Sequence, residues 1–126
     1  LAAPGERLLE SLPSLLAGHR PAPSLLHGDL WGGNWLAAAN GEPVVFDPAV
    51  YYGDRETDLA MTHLFGGFGG TFYRTYEAAA PAAAGARQRV ELYNLYHVLN
   101  HANLFGGGYA RQARGMIDSL LAQLRG

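Results

Sequence analysis

Between Ser24 and Asp54 the sequence SLLHGDLWGGNWLAAANGEPVVFDPAVYYGD sets two short apolar runs on either side of Asn40-Gly41. Asn-Gly is the dipeptide that best suits a tight hairpin turn, because both residues tolerate the left-handed backbone such a turn requires. The spacing predicts a strand near Leu25 and Leu26, a polar loop, a strand over Trp35 to Ala38, the turn, and a strand from Val44 to Phe46. No other stretch carries a comparable β signal. A chain of 126 residues is long enough for one packed core and too short for two comfortable domains, so a single domain spanning 1–126 is expected.

The remainder reads as helix. Leu8, Leu9, Leu12, Leu15 and Leu16 fall at helical spacing between Glu6 and His19, with Pro13 expected to bend or split the segment and Pro21 to end it. Asp54 suits an N-cap for a helix running to Phe65, which Gly66-Gly67 stops, and a second helix covers Phe72 to Ala80. The alanine-rich stretch at 78–87 is a connector, interrupted by Pro81 and Gly85. Leu92, Leu95, Tyr96 and Leu99 form the expected core face of a helix over Ala86 to Leu104. Ala113, Met116, Ile117, Leu120, Leu121 and Leu124 repeat that pattern near the C-terminus. The class is α+β, mainly helical, with a short hairpin packed on helices.

Composition removes several function classes. A net charge of −2 supplies no basic field for nucleic acid or an anionic membrane surface. No apolar run approaches the roughly 20 residues that span a bilayer, and the opening LAAPGERLLESLPSLL has neither a basic first segment nor a cleavage-like site, so it reads as neither signal nor anchor. Cysteine is absent, which excludes disulfides and thiolate metal sites and fits a cytoplasmic setting. All nine basic residues are arginine; the chain has no lysine.

The polar loop carries the chemistry. His27, Asp29 and Asn34 fall in the spacing H-x-D-x-x-x-x-N, the pattern of a kinase catalytic loop, in which Asp is the base and Asn a metal ligand. Thirteen residues beyond Asn34, where the hairpin returns, stands Asp47, a second hard oxygen donor suited to Mg2+. Gly32 and Gly33 let the intervening backbone turn tightly. Each part alone has a plainer explanation, since His27-Gly28-Asp29 can be an ordinary turn and Asp47-Pro48 can simply begin a loop. The order of the parts, with a hairpin between them, points to phosphoryl transfer.

HGDLWGGNW followed by PVVFDPAVYYGDRETDLAM closely resembles the fructosamine and ketosamine kinases, relatives of the aminoglycoside phosphotransferases within the protein-kinase-like superfamily. LFGGF and LYNLYHVLNHANLFGGGY look like the helical region of the same family, so the resemblance covers about Leu25 to Tyr109. It implies the C-terminal catalytic lobe of a protein-kinase-like fold, with ATP and Mg2+ as cofactors. The implied reaction is phosphorylation of a sugar hydroxyl in a ketoamine, either a small molecule or a glycated protein lysine. By the same resemblance Asp29 is the general base, and Asn34 and Asp47 hold the metal on the nucleotide phosphates. His27 buttresses the loop rather than binding metal. Asp58 either braces the loop or is a helix N-terminal acid stabilised by the dipole. Trp31 and Trp35 form a sugar-stacking wall or, for Trp35 especially, pack in the core.

The sequence departs from an intact member of the family at its front. No β-rich, phosphate-covering lobe precedes the loop and no lysine is present to pair with nucleotide phosphates, so the segment is expected to need an N-terminal nucleotide-anchoring lobe and to be inactive alone. Rival readings are a sister phosphotransferase acting on choline, homoserine or an aminoglycoside, a non-catalytic helical binding domain and, more distantly, a metal hydrolase. His97 and His101 have zinc-compatible spacing, but Val98 stands where a metalloprotease needs glutamate, which favours a polar network. The clusters Gly66-Gly67, Gly69-Gly70 and Gly106 to Gly108 lead into no Lys-Ser or Lys-Thr and read as caps and close-packed turns.

Overall fold

The structure is a computed structural model, which describes residues 2–125, the side chain of Arg125 excepted. In chain order the elements are α1 (Ala2–Leu15), β1 (Ser24–Leu26), a one-turn 3-10 helix (Gly32–Asn34), β2 (Trp35–Ala37), β3 (Pro43–Val45), β4 (Tyr51–Gly53), α2 (Glu56–Leu64), α3 (Gly70–Ala79), α4 (Ala86–Phe105) and α5 (Gly108–Arg125). They fall into two compact units, one of residues 1–19 with 87–126 and one of residues 20–86. The mainly helical expectation with a small β component holds.

The first unit is a set of helices in which α1 packs on α5. Leu8, Leu95, Val98, Ala113, Ile117 and Leu120 are its buried apolar side chains. Each buried leucine or isoleucine contributes roughly 1.5–3 kcal/mol by leaving water. Pro13 does not split α1. It lies in the last turn, where one missing N–H removes a single hydrogen bond, and the Leu16 amide still donates to the Leu12 carbonyl at 3.0 Å. The helix also starts earlier than the leucine spacing suggests, because Pro4 sits in the first turn, where a missing N–H costs nothing. In α4 the expected core face is rotated: Arg89, Asn94, Leu95 and Val98 are buried, whereas Tyr96 is 71% exposed. Leu92, Tyr96 and Leu99 instead line an apolar groove beside Leu8, Leu9 and Leu12 of α1.

The second unit contains two small antiparallel sheets. One is the expected hairpin, pairing Trp35 with Val45, Leu36 with Val44 and Ala37 with Pro43. Its turn is not the tight two-residue form, which would need positive φ at Asn40 as well as Gly41; among the described residues only Asp47 of the non-glycine residues has positive φ. Gly41, at φ 84°, donates to Ala38 O, and the Ala38 amide donates to Glu42 O, so a β-turn followed by a left-handed glycine closes a longer loop. The other sheet was not anticipated. Here β4 pairs with β1, matching Leu26 with Tyr51 and Leu25 with Tyr52, and so satisfies backbone groups that β1 alone would leave open.

Helix α2 begins one residue later than expected, yet Asp54 still serves its N-terminus. The Asp54 Oδ1 accepts the Glu56 amide at 3.0 Å, and its carbonyl accepts the Thr57 amide at 3.0 Å and the Thr57 hydroxyl at 2.8 Å. Arg55 reaches the far end of α3, donating to the carbonyls of Ala80 and Pro81 at 3.3 and 2.9 Å with its guanidinium over the Tyr76 ring. No helix among the described residues is long and apolar enough to cross a membrane.

Candidate active site

The site grows from the turn that leaves β1. Gly28 has φ 88°, and a Cβ placed there would lie 1.9 Å from the Ala49 carbonyl oxygen, so backbone passes over backbone at this point and only glycine fits. The Ala49 amide donates to His27 O at 2.8 Å, which ties the segment after Asp47 to the loop that carries Asp29.

Two side chains hold this loop. The Asp58 carboxylate, in the first turn of α2, accepts the His27 amide on Oδ2 at 2.8 Å and the Gly28 amide on Oδ1 at 3.0 Å. Hydrogen bonds to an ionised acceptor are among the stronger kinds, and two of them fix both position and orientation of the loop backbone. The His27 ring does a different task. Its Nδ1 accepts the Asp29 amide at 3.2 Å, so the ring proton must reside on Nε2, which donates to the Phe46 carbonyl at 2.7 Å. A single neutral imidazole thus links the Asp29 backbone to the residue that precedes Asp47.

Asn34 is 5% exposed and lies at the end of the 3-10 turn. Its Nδ2 donates to both the carbonyl and the Oδ2 of Asp29, at 2.9 and 3.1 Å. That commitment of the amide nitrogen leaves Oδ1 as the atom Asn34 can offer a cation, a hard neutral oxygen of the kind Mg2+ accepts. The Phe46 amide donates to Asn34 O at 3.1 Å. Phe46 is therefore held through both backbone groups, by Asn34 and by His27, and Asp47 follows directly with an exposed side chain. Asp47 has φ 52° immediately before Pro48, a conformation disfavoured by about 1–3 kcal/mol and maintained by these flanking bonds. The structure thus brings His27, Asp29, Asn34, Asp58 and the peptide carrying Asp47 into one network. An amide oxygen and a carboxylate fit Mg2+ as a donor set, with further positions left for water and phosphate.

The two tryptophans have separate surroundings. Trp31 is 40% exposed, lies against Gly33, where a Cβ would come within 2.3 Å of the indole, and meets Phe65 edge-to-face at 6.2 Å between ring centroids. Trp35 donates from Nε1 to Gly67 O at 3.2 Å, contacts Phe68, and lines an apolar hollow with Leu30, Val45 and Phe72. In the sequence Gly66-Gly67 reads as a helix stop and close-packed turn, without naming what it packs on. The segment runs directly against the loop, with Gly67 so close to Gly32 that a Cβ on Gly67 would sit 2.9 Å from the Gly32 Cα. The paired glycines were the available signal, since facing glycines permit backbone contact. His101, in the helical unit, donates from Nδ1 to the His97 carbonyl at 2.7 Å and packs near Phe105 and Tyr109. That nitrogen is committed to the helix.

The fructosamine kinase family model matches residues 2–123. The chain is 54% identical over 114 residues to a probable ketoamine kinase of Synechocystis, covering 90% of this chain and 39% of that protein. It is 48% identical over 121 residues to the chloroplastic protein-ribulosamine 3-kinase of Oryza sativa subsp. japonica, covering 96% and 35%. The crystal structure of a candidate fructosamine-3-kinase from Haemophilus somnus superposes with a TM-score of 0.81 at 32% identity, over 92% of this chain and 40% of that one. One from Thermobifida fusca gives 0.80 at 39% identity, over 98% and 41%. The chain belongs to the fructosamine kinase family. It spans about two fifths of the length of these relatives.

Proposed function

We propose that this segment is the catalytic portion of an ATP-dependent kinase that phosphorylates a sugar hydroxyl of a ketoamine, as a small molecule or on a glycated protein lysine. The observation that carries the reading is the Asn34 amide clamped on Asp29, with the backbone of Phe46 held between Asn34 and His27 so that Asp47 emerges beside them. In this reading the second unit is the core of the C-terminal lobe of a protein-kinase-like fold, acting in the cytoplasm. A nucleotide-anchoring N-terminal lobe completes the ATP site, and the 126-residue chain alone is inactive.

Asp29 orients the acceptor hydroxyl and receives its proton as the oxygen attacks the terminal phosphorus and the bond to the ADP oxygen breaks. Its Oδ2 is held by Asn34, so the carboxylate is fixed before the acceptor arrives. A hydroxyl is far more basic than a carboxylate, which places proton transfer late and makes positioning the larger contribution. Asn34 Oδ1 and the Asp47 carboxylate would hold Mg2+, which when bound neutralises charge on the nucleotide phosphates. Asp58 and His27 keep the loop in place without touching the reacting atoms.

The test joins residues 1–126 to the upstream region of the longer polypeptide and follows phosphate transfer from Mg-ATP to fructosyl-lysine, ribulosyl-lysine, choline and an aminoglycoside. Turnover of a ketoamine in preference to the other two acceptors is the expected result. Turnover of choline or an aminoglycoside alone would move the substrate to a sister class, and turnover of none would favour a binding domain.

A further inference from the structure

Between α1 and α4 of the helical unit lies an apolar groove of about 560 Å3 that the chemistry above does not use. Its floor is Leu8 of α1, Leu95 of α4 and Ile117 of α5, each no more than 5% exposed, and its walls are Leu9 and Leu12 of α1 and Tyr96 of α4. The walls are open: Leu9 is 67% exposed and Tyr96 71%. Among the described lining residues Glu6 alone carries a charge, and its side chain is exposed at the rim. A leucine and a tyrosine held this far out of the core, on either side of an apolar floor, mark a face built to be covered.

The dimensions and chemistry of the groove select its occupant. Gly5 to Leu12 and Leu92 to Leu99 each advance about 10 Å along their helix axes, two turns. Both walls are helices, whose backbone groups are already bonded, so an extended segment laid there would leave its own N–H and C=O groups unpaired against leucine. A helix satisfies its own backbone and offers a matching apolar stripe at i, i+3, i+4 and i+7. A second copy of this chain fits poorly, because two-fold pairing sets groove against groove, and contact through a different surface does not close into a dimer. The polypeptide itself supplies an occupant. The chain spans about two fifths of the length of its relatives, and Ala2 and Gly5, in the first turn of α1, line one end of the groove, where an upstream segment arrives without a linker.

Resting on the reading that an upstream region completes this enzyme, we propose that the α1–α4 groove receives an amphipathic helix of that upstream region, with about two turns of apolar side chains seated on Leu8, Leu95 and Ile117. The helical unit thereby anchors the upstream region as well as forming a core of its own.

The test uses residues 1–126 joined to the upstream region and reads accessibility rather than activity. Leu9→Cys, or Tyr96→Cys on the opposite wall, is labelled with a thiol reagent in native and denatured protein, and the label is assigned by peptide mass, since residues 1–126 contain no cysteine of their own. Labelling of the native protein should be at least about tenfold slower than that of the denatured protein and should not change on dilution. Leu9→Glu, which places an unpaired charge in the covered groove, should lower Tm by about 5 °C, whereas Leu9→Met should leave it unchanged. Native labelling within a fewfold of the denatured rate, or an unchanged Tm in Leu9→Glu, overturns the inference. Protection that falls on dilution assigns the groove to a second copy and overturns it as well. Ketoamine turnover with an accessible groove keeps the kinase reading and removes this inference; protection without turnover does the reverse.

Discussion

In the helical unit, Leu8, Leu95, Val98, Ala113, Ile117 and Leu120 are buried through the packing of long helices. In the unit from Arg20 to Ala86, Leu26, Ala60 and Met61 are buried, but the three-residue strands leave Leu25, Leu36, Val44, Val45, Tyr51 and Tyr52 exposed, and hydrogen bonds that reach across the sequence hold the loop. Asp58 bonds residues 30 and 31 positions away, and the His27 ring reaches Phe46, 19 positions away. Apolar burial is tolerant of shape and loses stability in proportion to what is removed, whereas a network of this kind depends on individual atoms. The scaffold is therefore expected to accept substitution gradually and the loop to fail at single positions.

The largest contrast should come from Gly28→Ala. Positive φ and the Ala49 carbonyl at 1.9 Å leave no room for a methyl group, so the substitution should destabilise the chain by more than about 4 kcal/mol, read from the denaturant midpoint. Leu120→Ala removes a side chain with no exposed surface and should cost about 3 kcal/mol, while the His27 and Gly28 amide resonances stay in place below the unfolding transition. Movement of those resonances would break the division of labour between the units. Asp58→Asn keeps the size but removes the charge from two hydrogen bonds. It should cost about 2 kcal/mol and shift both amide resonances upfield, and a loss of stability without those shifts would assign Asp58 to the helix terminus instead.

The smallest expected effect concerns His63, whose ring stacks on Tyr73 with centroids 4.4 Å apart. Burial lowers its pKa from the ordinary value, so the folded state holds its proton less tightly than the unfolded state. Its contribution is fully present above the unfolded pKa near 6.5 and is lost as pH falls through the lowered folded value. His63→Phe should therefore flatten the acid side of the stability profile below about pH 6.5. A slope equal to that of the native chain would remove His63 from the account.

Much of the site was legible in the sequence because its spacing is local. His27, Asp29 and Asn34 lie within eight positions, and a hairpin is enough to return Asp47 to them. The pairing of β1 with β4 was not legible, since Tyr51-Tyr52-Gly53 shows no alternation and its partner lies 25 to 29 positions away. The hairpin was recognised from Asn40-Gly41, but which turn closes it depends on the φ of Asn40, which the dipeptide alone leaves open. Tyr96 fell on the expected apolar face of α4, and its exposure shows that helical spacing finds a stripe without fixing which side of it is covered. Gly66-Gly67 was legible as a cap and close-packed turn, but its contact with Gly32 was not, because glycines announce close approach without naming the partner.

The most direct test of the central claim measures the rate of phosphate transfer from Mg-ATP to a ketoamine by the segment joined to its upstream region, comparing Asp29→Asn with Ile117→Val in the helical unit. Loss of positioned base chemistry should slow transfer by about 10²–10⁴-fold in Asp29→Asn, whereas Ile117→Val should cost about 1 kcal/mol of stability and leave the rate at its native value. Transfer by Asp29→Asn within a fewfold of the native rate would contradict the assignment of this loop as the phosphoryl-transfer centre.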